Sequence, residues 1–306
     1  MKNLLAFLSL CLLFLITSAQ ERKINITPQR QSNSSIDFNY EKTDPGTYTL
    51  VFSFSEYTNT DRPQEIYSVS DSRGAVFSLR PKNPGQGIGY RYNYRYIRGK
   101  LKPKVNKDFC YLLPYAPGIE CEVVEAGFAN EHYFGAKKPD DWKSYFFYTK
   151  NEETVTAIRK GIVVEIVDQY EDVKNVEYTT QKNTVIIEHE DGTLVRYQGF
   201  KKGSLKVKPG ETVFPNSPLG QNTSYTANRF GVSVFIYYLS SVNFESLRGQ
   251  SLTTPKSLYS IVTPNFLTGD ASCIILETRK TYTSFSNEVI ITKEMNKKEI
   301  KKYKER

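Results

Sequence analysis

The stretch "NTVIIEHEDGTLVRYQGF", residues 183–200, carries two apolar runs either side of Glu190-Asp191-Gly192. Val185, Ile186 and Ile187 precede the break; Leu194, Val195 and Tyr197 follow it. Asp-Gly between two such runs signals a β-hairpin, because glycine adopts the positive φ that a tight turn demands. Working outward, "TVTAIRKGIVVEIVD" (154–168) reads as a pair of strands around Arg159-Lys160-Gly161. "LKVKPGETVFPNSPLGQ" (205–221) reads as two short strands split by Pro-Gly and Pro-Asn-Ser-Pro turns, and "GVSVFIYYLS" (231–240) as one more strand. No helical periodicity interrupts this region, so it is expected to be an antiparallel sheet folded on itself.

The first half has the same character. "GTYTLVFSF" (46–54) alternates Tyr48, Leu50, Phe52 and Phe54 against Thr47, Thr49, Val51 and Ser53; "AVFSLRP" and "GYRYNYRYIRG" follow after turn-rich breaks. In the last of these, Tyr90, Tyr92, Tyr94 and Tyr96 share one strand face and Arg91, Asn93 and Arg95 the other. Such a stripe either stacks flat ligands or packs against a partner sheet. With 22 Tyr and 18 Phe against two His in 306 residues, composition favours sheet throughout. The fold class expected is all-β: an N-terminal β-sandwich over 20–110, an antiparallel β-core over 111–245 entered through an irregular stretch (114–148), a C-terminal β extension over 246–292, and a basic tail over 293–306.

Residues 1–19 have the layout of a signal peptide: Lys2, an apolar stretch from Leu4 to Ile16, then Thr17-Ser18-Ala19. The expected mature protein starts at Gln20, is exported to the periplasm or beyond, and has no integral membrane segment. Cys11 sits within apolar sequence, unlike a lipidated terminus. Three cysteines then remain, and the Pro-Gly turn signals between Cys110 and Cys121 suggest a disulfide joining them, the alternative being two small buried apolar groups. Cys273 has no evident partner. The formal charge of +8 is concentrated in the tail, where seven basic and three acidic residues lie in 293–306. That segment reads as a short exposed helix or a frayed end, or else as an adhesive for anionic polymer or lipid. Export argues against nucleic acid as a partner.

The order "AIRKGIVVEI", "VIIEHEDGTLVRYQGF", "VKPGETVFPNSPLG", "FGVSVFIYY" resembles the β-core of the LytM-type, lysostaphin-like zinc peptidoglycan endopeptidases. The resemblance covers roughly residues 112–239. It implies a zinc site, and there the sequence departs from the family. A catalytic zinc takes three protein ligands of imidazole, thiolate or carboxylate type and leaves a fourth position for water. The family's His-x-His on the final strand falls at Val232-Ser233-Val234. Its ligand Asp falls near Phe146, to within one or two positions, and a further catalytic histidine falls at Gly199. Only His132 stands where the family's first ligand stands, while His189 lies where relatives often carry a histidine that does not bind metal.

Two histidines do not rebuild that site, so no zinc or other cofactor is expected and no catalytic residue is assigned. Ser233 lacks the second glycine of a nucleophile elbow, and no cysteine has a signalled histidine partner. The expectation is a non-catalytic, peptidase-like protein that binds peptidoglycan or regulates a cell-wall hydrolase through a retained groove lined by His132, Tyr148, Tyr197 and Ser233. The alternatives are an active zinc metalloendopeptidase with a remodelled site at His132, and an envelope adhesin or scaffold.

Overall fold

The computed structural model describes residues 23–127, 143–171, 181–226, 229–250 and 256–305. The signal-peptide expectation and His132 lie outside them. Six strands come first: β1 (Ile24–Arg30), β2 (Ile36–Lys42), β3 (Tyr48–Thr58), β4 (Ile66–Val69), β5 (Arg73–Leu79) and β6 (Gly89–Arg98). They form two three-stranded antiparallel sheets, ordered β1-β2-β5 and β4-β3-β6. Alternation makes the sandwich. Tyr48, Leu50 and Phe52 of β3 are buried, and Phe38 of β2 meets Phe77 in a stacked pair at 4.5 Å and Phe52 edge-on at 6.2 Å. The tyrosine stripe of β6 packs into this interior, Tyr90 and Tyr92 edge-on to Phe38 at 5.5 and 5.1 Å. It is the packed face of a sheet, with all four tyrosines half-buried.

The next strands are β7 (Cys110–Tyr111), β8 (Glu120–Glu125), β9 (Tyr145–Thr149), β10 (Thr154–Thr156), β11 (Gly161–Val167), β12 (Asn183–Glu188), β13 (Leu194–Phe200), β14 (Thr212–Val213), β15 (Pro218–Gln221), β16 (Thr223–Thr226) and β17 (Arg229–Leu239). After them come β18 (Tyr259–Ile261), β19 (Asn265–Leu267), β20 (Cys273–Ile274), β21 (Lys280–Thr283), and two helices, α1 (Glu288–Thr292) and α2 (Lys297–Lys304). Most of these strands join one large sheet in the order β14-β11-β12-β13-β17-β9-β8-β21, with β16 and β18 also pairing to β17. The hairpin expected at Asp191-Gly192 joins β12 to β13, and Gly192 has φ +82° with Pro103 where a Cβ would stand. Two expectations differ in detail. The strands flanking Arg159-Lys160 do not pair with each other: β10 pairs β15, and β11 pairs β12 and β14. Of the stretch 114–148 expected to be irregular, the described residues contribute β8 and β9, which pair in register from Glu122 opposite Tyr148 to Glu125 opposite Tyr145.

The cysteine pairing is a correction. Cys110 bonds Cys273, 163 residues away, with Cα atoms 5.9 Å apart, and Cys121 is a free, buried thiol. The reason lies in strand placement. Cys121 sits in β8 opposite Tyr282 of β21, whereas β7 lies parallel to β19, which pairs β20, so Cys110 and Cys273 meet across a separate three-stranded sheet. Among the described residues no helix is long and apolar enough to cross a membrane.

The sandwich rests on the outer face of the large sheet. Thr47 N donates to Glu188 Oε2 (2.7 Å), Lys102 N to Leu239 O (2.7 Å) and Tyr259 Oη to Arg98 O (2.9 Å). The opposite face of the same sheet carries the larger core.

Candidate functional site

In an antiparallel sheet, residues directly opposite one another project to the same side. The register places Val234 of β17 between Tyr145 of β9 and Tyr197 of β13, with Val232 opposite Phe147. These five side chains therefore share one face, and all are buried, none more than 2% exposed. Phe146 is opposite Ser233 and so projects to the other side. Within the one or two positions that the sequence left open around Phe146, Tyr145 and Phe147 share the face of Val232 and Val234 and Phe146 does not.

That face is roofed by the chain itself. Phe266 of β19 lies edge-on to Tyr145 at 5.9 Å and against Phe147 at 5.6 Å, and Tyr111 of β7 lies 6.2 Å from Phe266. The polar atoms beneath the roof are consumed. Tyr145 Oη donates to Leu276 O (3.3 Å), Tyr115 Oη to Phe147 O (2.8 Å), and Tyr197 Oη accepts from Ile158 N (2.9 Å). Burial pushes the Tyr145 and Tyr197 hydroxyls above the usual phenol range. The disulfide fastens β7 to β20 over this roof. Tyr197 thus does not line an open groove, as the sequence suggested. It is a fully buried core residue.

The described residues of this face present hydrocarbon and bonded phenols. Valine offers no ligand atom, the phenols are already hydrogen-bonded, and among the described residues no three His, Cys, Asp or Glu side chains gather closely enough to hold a metal. Gly199 is closed to histidine by geometry as well as by identity. Its φ is +105°, and a Cβ there would lie 2.8 Å from Tyr225 Oη and 3.2 Å from the Gly231 carbonyl.

His189 is elsewhere, in a buried polar cluster that no motif signals. Its Nδ1 is 2.9 Å from Thr193 Oγ1, and Thr193 Oγ1 donates to Asp191 Oδ1 at 2.7 Å. Asp191 in turn accepts from Arg159 Nη1 (2.9 Å). The Arg159 guanidinium lies 3.8 Å over the Phe109 ring and reaches Glu294 of the tail through Nε (3.1 and 3.0 Å) and Nη2 (2.6 Å). Burial, with the Arg159 charge adding to it, holds the His189 imidazole well below its ordinary pKa, so it is neutral, and its Nε2 has no partner. Lys160, next along the chain, donates to Glu299 (2.7 Å) and to the Glu294 carbonyl (2.9 Å). The tail is therefore pinned by two of its three glutamates, Glu294 and Glu299, while its lysines stay exposed.

The outer face near Phe146 is where accessible groups collect. Phe146 and Tyr148 stack at 5.6 Å, Tyr225 meets both edge-on, and Lys182 Nζ lies 4.9 Å from the Tyr225 ring. Desolvation lowers the Lys182 pKa. Arg229 covers Tyr148 at 3.8 Å and pairs with Glu122 at 2.8 Å. Beside them opens a cleft of about 590 Å³ whose charged lining is Glu120, Glu122, Glu153, Lys150 and Arg229. Of the residues expected in a groove, the structure brings Tyr148 and Ser233 to this side of the sheet, and Tyr148 alone to the cleft.

No protein-family model matches the chain, and no curated protein matches it. Among solved structures, the M23 metalloprotease pseudoalterin, described as from the deep sea, is similar over 42% of this chain and 70% of its own, at 17% identity and a TM-score of 0.30. A putative M23 peptidase from Pseudomonas aeruginosa is similar over 63% of this chain and 83% of its own, at 14% identity and a TM-score of 0.26.

Proposed function

We propose that this chain is an exported, non-catalytic protein built on a peptidase-type β-core, and that it binds the peptide part of the cell wall or regulates a wall hydrolase through that surface. One observation carries the reading: the face where the LytM-type motifs align holds Val232, Val234, Tyr145, Phe147 and Tyr197, all buried beneath Phe266. Hydrocarbon in place of ligand atoms favours burial over coordination. Side chains fill the face where the family's groove would lie, so binding is assigned to the outer cleft, whose lining combines Glu120 and Glu153 with Lys150, Arg229 and the Tyr148 ring. Paired opposite charges suit a peptide that carries both ammonium and carboxylate groups, as the stem peptides of peptidoglycan do.

The test has two arms. Metal analysis of the purified chain and a zymogram on peptidoglycan are expected to show neither stoichiometric zinc nor clearing; both together would mean a working metallopeptidase. Co-sedimentation with sacculi is expected for the native chain and to weaken in Arg229→Ala and Glu153→Ala. Sedimentation unchanged in both variants would remove the cleft from the proposal, and its absence in the native chain would remove peptidoglycan.

A further inference from the structure

A second cleft, of about 480 Å³, lies between the turn joining β14 to β15 and the C-terminal helices. This falls inside the roughly 300–1,000 Å³ span of small-molecule sites. Its walls are Phe214, Pro215 and Pro218 on the turn and Ile291, Met295 and Tyr303 on the helical side. The turn is a fixed wall: Ser217 Oγ accepts from Phe214 N (3.0 Å), and Asn216 N donates to Ala157 O (2.9 Å). The helical wall is held by Glu294 on Arg159 and Glu299 on Lys160.

The mouth carries an unbalanced charge. Lys298 and Lys302 both line it, one helical turn apart on α2. Like charges at that spacing repel. Among the described residues neither has a carboxylate partner, while the one acid in the cleft, Glu299, is committed to Lys160 and to the Asn296 amide. An apolar cleft ending in two uncompensated cations is complementary to a hydrocarbon chain ending in an anion.

We infer that this cleft binds an anionic amphiphile, a single alkyl or acyl chain bearing a carboxylate or phosphate, with the chain between Pro215 and Met295 and the anion between Lys298 and Lys302. The site is independent of the peptide cleft and stands whether or not the chain binds sacculi.

The probe is dodecyl phosphate below its micelle threshold, titrated calorimetrically into the full chain, with dodecyl maltoside, inorganic phosphate and anionic phospholipid vesicles as comparisons. One-to-one binding of dodecyl phosphate is expected. Lys298→Ala/Lys302→Ala, which removes two exposed lysines and leaves Glu299 on Lys160, is expected to weaken it by about ten- to thirtyfold. Met295→Glu, at an unchanged melting temperature, is expected to abolish it. Equal affinity for dodecyl maltoside, or for the double variant, overturns the inference, as does failure of dodecyl phosphate to saturate. Binding to vesicles or to inorganic phosphate without monomeric dodecyl phosphate binding also overturns it, pointing to a charged surface with no chain site.

Discussion

Replacing Glu294 by glutamine isolates the contact that holds the C-terminal tail to the core. Arg159 is 2% exposed, and three of its polar contacts, at 2.6, 3.0 and 3.1 Å, run to Glu294. Glutamine keeps the shape, removes the charge and turns an N–H donor toward a guanidinium that only donates. Breaking a buried ion pair is destabilising by about 3–5 kcal/mol when no partner remains. Here Asp191 remains at 2.9 Å and Tyr111 Oη at 3.3 Å, so part of the compensation survives. The expected loss is roughly 2–3 kcal/mol. For a cooperative unit of this size that lowers the melting temperature by about 4–12 °C. The measurement is thermal unfolding followed by far-UV circular dichroism on oxidised protein, native against Glu294→Gln, at one pH and salt. A shift below about 1 °C would falsify the argument, because it would mean that the tail is frayed in solution and that Arg159 is satisfied without it.

Acid should act through the same cluster. His189 is held neutral with its pKa below the unfolded value near 6.5, so the unfolded chain binds more protons and stability falls as pH drops through that value. Urea unfolding at pH 5.5 is expected to give roughly 1 kcal/mol less stability from this group than at neutral pH, a slope that His189→Gln should flatten; an equal slope in both proteins would exonerate His189. Asp191, whose carboxyl is lowered despite its burial by Arg159 and by hydrogen bonds from Thr193, adds a further loss only below its unfolded range near pH 4. The disulfide closes a span of 163 residues, and Cys273→Ser should lower stability by up to about 5 kcal/mol. Peptide mapping should recover Cys110 linked to Cys273. A thiol reagent should leave native Cys121 untouched, since burial pushes its pKa up to about 12, and rapid labelling would contradict the packing.

What was legible in the sequence is what depends on neighbours along the chain. Asp191-Gly192 announced its hairpin because turn chemistry is local, and the alternation at Tyr48, Leu50 and Phe52 announced an inward face because side chains alternate along a strand. That the chain holds two histidines could be counted before any geometry was known. What could not be read was set by distant partners. The Pro-Gly turn after Cys110 favoured a nearby bridge, yet parallel pairing of β7 with β19 decides which sulfur arrives. Phe146 and Phe147 are indistinguishable in "SYFFYT", and only register with β17 tells which one faces the core. Phe266 gave no hint that it roofs the aligned motifs. Arg159 looked like turn punctuation, whereas its near-total burial requires the two acids supplied by Asp191 and Glu294.

The bridge between Cys110 and Cys273 also makes assembly a race. Cys110, Cys121 and Cys273 permit three single bridges among themselves, and the one first within reach of Cys110 as a chain emerges from its N-terminus is Cys121, only 11 positions on. Short loops close far sooner than long ones, so oxidation ahead of folding traps the wrong isomer. Early zipping of β8 against β9 withdraws Cys121 into the interior and keeps Cys110 waiting for a mate that arrives only when most of the polypeptide is out.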